Sequence, residues 1–367
     1  MYKTTAIAAL ISIALAPQLA FSATPQAKAI NGNNATDYDG QLLPWQAAIK
    51  QTNFDATGCG AVVIASNWVV TAAHCDVSAL GDVVIAGTSY IPQGDFSKLD
   101  AKYKFTVIKR FHHSAYNSTT FENDIALFQV DRSMLNVAQP IKIATVNEQQ
   151  AADNNFDNTW VQGSDSKANL IASGWGDTVA NGAFPSELQV VKLGGIPDGK
   201  CNNKIYNSDY FVCADSNIAD LVKDVCAGDS GGPLIWQNPL NIADTDKGLR
   251  LVGITSNGAD CKIKNDNQNN PYYQLHGQFT QLSSYRGWIE GTIRTSPDGD
   301  NSFSLDAVDA PTITKDPFIV VADKPSAKTQ PVDSGSGSGS SGGSVPLFGL
   351  FGLAAIGLMR RKDIHQK

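Results

Sequence analysis

Charge is scarce in this chain. Lys, Arg, Asp and Glu make up 17% of its 367 residues, and the net charge is −7. No stretch is dense enough in Lys or Arg to neutralise an array of phosphates, which argues against nucleic acid as a partner. The mild acidity reads as solubility. No CxxC pair occurs, so the cysteines do not suggest a metal centre. The apolar run from Ala6 to Leu15 is too short for a mature membrane helix, and the run from Val345 to Met359 is marginal for one. What is present is a hydrophobic content of 42%, ample for a globular core, in a length that allows one large or two modest domains.

The N-terminus has the form of an export signal. Lys3 supplies a positive start, the apolar run follows, and Pro17, Ala20, Ser22 and Ala23 offer a cleavage site near Ser22. All six cysteines lie between Cys59 and Cys261. In an exported chain an even count predicts disulfides, with the pairing left open by sequence alone. From about residue 30 to 291 short apolar runs recur between turn residues. Examples are Ala61–Ile64, Trp68–Val70, Val83–Ile85, Phe105–Ile108, Ala126–Phe128 and Leu251–Ile254. That spacing predicts an all-β sandwich or barrel. Two polar stretches, Asp153–Lys167 and Lys262–Asn270, read as surface loops. Residues 292–344 are rich in Pro, then almost pure Gly and Ser from Asp333 to Ser344, and predict a linker ending in a flexible tether.

Three motifs carry chemistry. His74 stands in Thr71-Ala72-Ala73-His74-Cys75, Asp124 in Asn123-Asp124-Ile125-Ala126-Leu127, and Ser230 in Gly228-Asp229-Ser230-Gly231-Gly232-Pro233. A serine hydroxyl needs a base to become a nucleophile near neutral pH, and histidine has the suitable pKa. An aspartate can hold that imidazole in one tautomer. Glycines beside the serine let backbone N–H groups approach a developing oxyanion. In the order His, Asp, Ser these motifs resemble the trypsin/chymotrypsin family of serine proteases.

The resemblance implies two six-stranded antiparallel barrels with a cleft between them, closed by a short C-terminal helix starting near Ser283–Ile289. It implies His74 as general base, Asp124 as its partner, Ser230 as nucleophile, and the N–H groups of Gly228 and Ser230 as the oxyanion hole. It selects the pairs Cys59–Cys75, Cys201–Cys213 and Cys226–Cys261. Ser256 matches the position whose hydroxyl supports the aspartate, and Gly258 the one that pairs with substrate backbone. Asp224 falls at the floor of the primary pocket, with Gly258 and Gly277 on its walls, so cleavage after Arg or Lys is expected. Val225 removes a hydroxyl beside that floor, which tilts the expectation toward Arg. Asn257 stands where the family usually has an aromatic. His112 and His113 read as structural. The segment after Gly87 lacks the acidic residues of the family's calcium loop, and no cofactor or metal is expected. The expected partners are protein or peptide substrates, for a chain acting as a monomer. The alternatives are the same triad with another side-chain preference, and a non-catalytic binding module on a protease fold.

Ile30-Asn31-Gly32-Asn33 resembles the family's mature N-terminus, whose ammonium would pair with Asp229. This makes residues 1–22 a signal peptide, 23–29 a propeptide and 30–291 the protease domain. Ala29, not a basic residue, precedes Ile30, so an activating protease of non-tryptic specificity or further trimming is expected. Gly342-Gly343 before an apolar run and Arg360-Arg361-Lys362 resembles the bacterial GlyGly-CTERM sorting signal. That makes 345–367 a hydrophobic anchor with a basic end. It implies a rhomboid-type protease, transient membrane anchoring, the type II secretion route, and a secreted or cell-surface protein of a Gram-negative bacterium.

Overall fold

A computed structural model describes residues 32–37, 42–51, 57–76, 82–178, 184–203, 207–219, 221–259 and 275–323. All belong to one compact unit. The proposed leader, Ile30, the loop 262–270, Cys261 and the tail from 324 onward lie outside the described residues.

A two-residue strand β1 (Asn33–Asn34) opens the described chain. The first barrel then uses β2 (Gln46–Lys50), β3 (Thr57–Ala65), β4 (Trp68–Thr71), β5 (Val83–Ala86), β6 (Lys104–His112) and β7 (Ala126–Val130). They close in the order β2-β3-β4-β7-β6-β5, all antiparallel. The second barrel uses β8 (Leu170–Gly174), β9 (Gln189–Ile196), β10 (Phe211–Asp215), β11 (Pro233–Gln237), β12 (Leu249–Asn257) and β13 (Gly277–Gln281). Its ring is β8-β9-β10-β13-β12-β11, closed by pairing of β8 with β9, and β1 adds to the outer edge of β9. Each apolar run named above falls in a strand. β-branched and aromatic residues pack well on a pleated, buried surface.

Each barrel has its own interior. Ile49, Val63, Val69, Val84, Phe105 and Phe128 fill the first. Phe156, Leu193, Val212, Leu234, Trp236 and Phe279 fill the second. A third cluster, including Trp45, Ile64, Ile141, Trp175, Ile235 and Leu251, joins residues of both barrels. The barrels meet closely at Gly60, where a Cβ would sit 2.7 Å from Gly232 Cα. Only glycine allows that approach. Ser173 Oγ–H donates across the seam to Gln46 Oε1 at 2.6 Å.

Two departures from the sequence reading stand out. The expected loop at Asp153–Lys167 is helical in its first part: α1 runs from Val146 to Thr159. A capping box starts it. Thr145 Oγ1 accepts from Glu148 N–H at 3.2 Å, and Glu148 Oε2 accepts from Thr145 N–H at 2.9 Å. Gln149, Ala152 and Phe156 form its buried face, a stripe too narrow to stand out in a polar sequence.

The second departure concerns the expected linker. The closing helix α2 runs from Arg286 to Thr295, past the expected domain end at 291. The chain then stays on the body as far as residue 323. Leu305, Ile313 and Val321 are buried in the shared core. Ile313 N–H donates to Thr245 O at 2.9 Å, and Gln237 Nε2 donates to Asp316 Oδ2 at 2.8 Å. Asp316 also caps a helical turn, Pro317–Val320, accepting from Phe318 N–H at 2.9 Å. Prolines interrupt any periodic pattern in this segment, yet its scattered buried apolar residues seat it. We call residues 296–323 the strap.

Candidate active site

β4 leads into a single 3-10 turn, Ala73–Cys75, that presents His74. A disulfide from Cys75 to Cys59 ties this turn to β3. Asp124 immediately precedes Ile125 and β7, the strand paired with β4. The two elements therefore carry His74 and Asp124 to the same end of the first barrel. Asp124 holds His74 in two ways. Its Oδ1 accepts from His74 N–H at 2.9 Å, and its Oδ2 accepts from His74 Nδ1 at 2.8 Å. Ser256 Oγ–H donates to the same Oδ2 at 2.6 Å, and Thr280 Oγ1–H donates to the Asp124 carbonyl at 2.9 Å. Both hydroxyls come from the second barrel. Asp124 is fully buried, while the His74 side chain is 25% exposed. The carboxylate is thus shielded and the imidazole stays reachable. With Nδ1 donating to Asp124, Nε2 is the nitrogen left to accept a proton.

The approach to Asp124 is held in an uncommon backbone conformation. Phe121 and Asn123 have φ of 59° and 58°. Tyr285 Oη–H donates to Asn123 Oδ1 at 3.3 Å, and the Phe121 ring meets the His74 ring edge-on at a centroid distance of 5.8 Å. Such conformations persist where surrounding contacts over-determine them. Neither Phe121 nor Thr280 stood out in the sequence.

Ser230 sits half-buried in the turn before β11. Gly60 N–H donates to Ser230 O at 2.8 Å, and Gly231 N–H to Thr255 O at 2.8 Å. The carbonyl of Ser230 lies 3.6 Å from Cys75 Sγ, one residue from His74. The serine turn is thereby bonded to β3 of the first barrel on one side and to β12, the Ser256 strand, on the other. Gly228 has φ of +95°, which a side chain would rarely tolerate. Asp229 is fully buried and turns inward, accepting from Gly176 N–H at 2.7 Å and Cys226 N–H at 2.8 Å. Burial pushes its pKa up to about 6 against the pull of those two N–H groups, with the Asp224 and Asp177 carboxylates pushing further upward.

Asp224 is 2% exposed, and Val225 N–H donates to its Oδ1 at 2.9 Å. A Cβ on Gly277 would lie 3.3 Å from that same Oδ1, and one on Gly258 would lie 3.2 Å from Gly277 Cα. Asp224, Gly277 and Gly258 therefore lie in succession, from buried carboxylate to exposed Gly258. Asn257 sits beside it, its Nδ2 donating to Ser256 Oγ at 3.3 Å.

The family model described as Trypsin matches residues 29–289, well over half of the chain. The chain belongs to the trypsin family of serine proteases. Among similar proteins, a "Trypsin" of Phaedon cochleariae is 31% identical over 298 residues, covering 79% of this chain and 98% of that protein. "Trypsin alpha" of Drosophila erecta is 28% identical over 276 residues, covering 72% and 88%. "Serine protease filzig" of Drosophila melanogaster is 31% identical over 267 residues, 67% of this chain but only 13% of that much longer protein. These relatives are insect proteins, and the tail after residue 323 is a feature that the family match does not reach.

In this trypsin-family chain the disulfides Cys59–Cys75 and Cys201–Cys213 form as the resemblance implied. Cys226 is also disulfide-bonded, and its expected partner Cys261 lies outside the described residues. Ile30 does too, so the activation pair is not placed. His112 and His113 take structural positions. His112 Nδ1 lies 3.2 Å from Asp76 Oδ2, and the His113 ring packs on Tyr285 and Trp288. Burial lowers the His113 pKa. His276, next to Gly277, escaped notice in the sequence. It is 6% exposed, and its Nδ1 accepts from Asn202 N–H at 2.9 Å.

Proposed function

We propose that the chain is an exported endopeptidase that cuts peptide bonds after Arg or Lys. The observation that carries this reading is the buried carboxylate at 2.8 Å from an imidazole that is one-quarter exposed, in the frame that grips the Ser230 turn. His74 Nε2 takes the Ser230 proton as Oγ attacks the scissile carbonyl. The Gly228 and Ser230 N–H groups stabilise the resulting oxyanion. His74 then gives its proton to the leaving amine, and an acyl-enzyme remains. Water, deprotonated by His74, releases the acid. Asp124 keeps the imidazole in the productive tautomer and offsets its transient positive charge.

Asp224 selects the substrate. An Arg or Lys side chain that reaches this buried carboxylate gains a charge-assisted contact that an apolar or acidic side chain does not. Val225 favours Arg over Lys. Release of a new amino terminus at Ile30 would supply a cation for the buried Asp229, which supports synthesis as a zymogen cut by another protease. The leader and the GlyGly tail support export and tail-directed sorting by a rhomboid-type protease, followed by type II secretion to the surface of a Gram-negative bacterium. A panel of peptides differing only in the residue before the cut tests the reading. Arg and Lys should lead, with Arg ahead. A preference for apolar or acidic residues would contradict it, and a clear lead for Lys would contradict the role given to Val225.

A further inference from the structure

The strap ends behind the pocket floor. Lys223, the neighbour of Asp224, is fully buried. Its Nζ donates to the side-chain oxygen of buried Asn217 and, at 3.2 Å, to the backbone carbonyl of Asp323. The carboxylate of Asp323 lies 3.5 Å from Lys192 Nζ in β9, and Lys192 also donates to Phe318 O at 2.7 Å. One residue earlier, Ala322 O accepts from Asn33 Nδ2 in β1 at 3.0 Å. Two successive strap residues thus bind β1, β9 and the segment that carries Asp224. Val321, at 1% exposure, pins them in place.

From this convergence we infer that Lys223 is a positioning residue for Asp224, and that the strap is a working part of the specificity site. The inference rests on the reading of Asp224 as the cation-binding carboxylate. A buried ammonium is costly unless its N–H groups find acceptors. The strap supplies one of those acceptors as a backbone carbonyl. When the strap is displaced, the ammonium must seek another partner or water, and the peptide it shares with Asp224 moves with it. Among the described residues, the hydrogen bonds that the second barrel sends to Asp124 come from β12 and β13, not from the strap. Cation recognition should therefore fall while serine reactivity holds.

The test uses the full chain after activation, with benzamidine as a cationic pocket probe and a small uncharged sulfonyl fluoride as a serine probe. Lys223→Met should weaken benzamidine inhibition about tenfold, the effect of losing hydrogen bonds from a charged group. Val321→Ser, which unseats the strap without touching Lys223, should weaken it about threefold. Inactivation by the sulfonyl fluoride should stay within about twofold in both. Asp224→Ser serves as the control. If Asp224→Ser weakens benzamidine but neither other variant does, the strap inference falls and the pocket reading stands. If Asp224→Ser has no effect, the pocket reading falls and takes the inference with it. A parallel loss with both probes would reveal a merely structural strap and overturn the inference. Should Lys223→Met fail to fold, Val321→Ser carries the decision alone.

Discussion

The two barrels are alike in strand number and unlike in how they are finished. The first closes on strands from one stretch of chain, 46–130, and its interior is filled by those strands, their connections and the adjoining Met134 and Ala138. The second recruits segments from afar: β1 on its edge, α1 against β9, α2, and the strap. His74 and Asp124 come from the self-contained barrel, Ser230 and Asp224 from the assembled one. The chemistry and the choice of substrate therefore have different structural dependencies. Asp124 is held by Ser256 and Thr280 of β12 and β13, whereas Lys223, the neighbour of Asp224, is held in part by a strap carbonyl. Mutation should be able to separate the two.

The largest effect expected is loss of the base. His74→Ala should lower kcat by about 10⁶-fold, with benzamidine binding retained, because Asp224 lies in the other barrel. Steady-state kinetics and inhibition on the same preparation check this. Next comes the pocket floor. Asp224→Ser should lower kcat/KM for Arg substrates by about 10²-fold or more, the cost of leaving a cation without its buried partner. The rate of reaction with an uncharged serine reagent should hardly change. The seam between barrels comes third. Gly60→Ala puts a Cβ 2.7 Å from Gly232 Cα, so stability should fall by about 1–3 kcal/mol through overpacking. Denaturant unfolding measures that, and activity should fall as well because the wedge separates His74 from Ser230.

The smallest effect is a pH dependence. Asp229 has its pKa raised from 3.8 to about 6 by burial. The folded chain then binds a proton more readily than the unfolded one. The stability this contributes is fully present below about pH 4 and is lost as pH rises through about 6. Asp153, raised to about 6 chiefly by burial, acts in the same direction. Asp229→Asn should therefore flatten only part of the dependence in thermal unfolding between about pH 4 and pH 7. The same flattening in a form that begins at Ile30 would mark the arrival of the ammonium.

Much of the first barrel was legible from the chain alone. Runs such as Trp68–Val70 and Ala126–Phe128 alternate between short turns, and the His74 and Asp124 motifs sit directly on them. The Ser230 turn was equally legible through its glycines. The additions to the second barrel were not. In α1 only three of fourteen residues are buried, so polar composition masked it. Its one local signal was Thr145 followed three residues later by Glu148, the capping pair. The strap offered less, since Leu305, Ile313 and Val321 follow neither a helical nor a strand period. Lys223 carries no local signal of burial in the sequence. Its burial is decided by the strap's end, a long-range contact that no local pattern encodes.

The account turns on Ser230 being a nucleophile armed by His74. The most direct measurement is peptide mapping by mass spectrometry after brief treatment of activated enzyme with a fluorophosphonate. The account predicts a single adduct on Ser230, slowed by orders of magnitude in His74→Ala. Modification elsewhere, or labelling of Ser230 at the same rate without the imidazole, would contradict it.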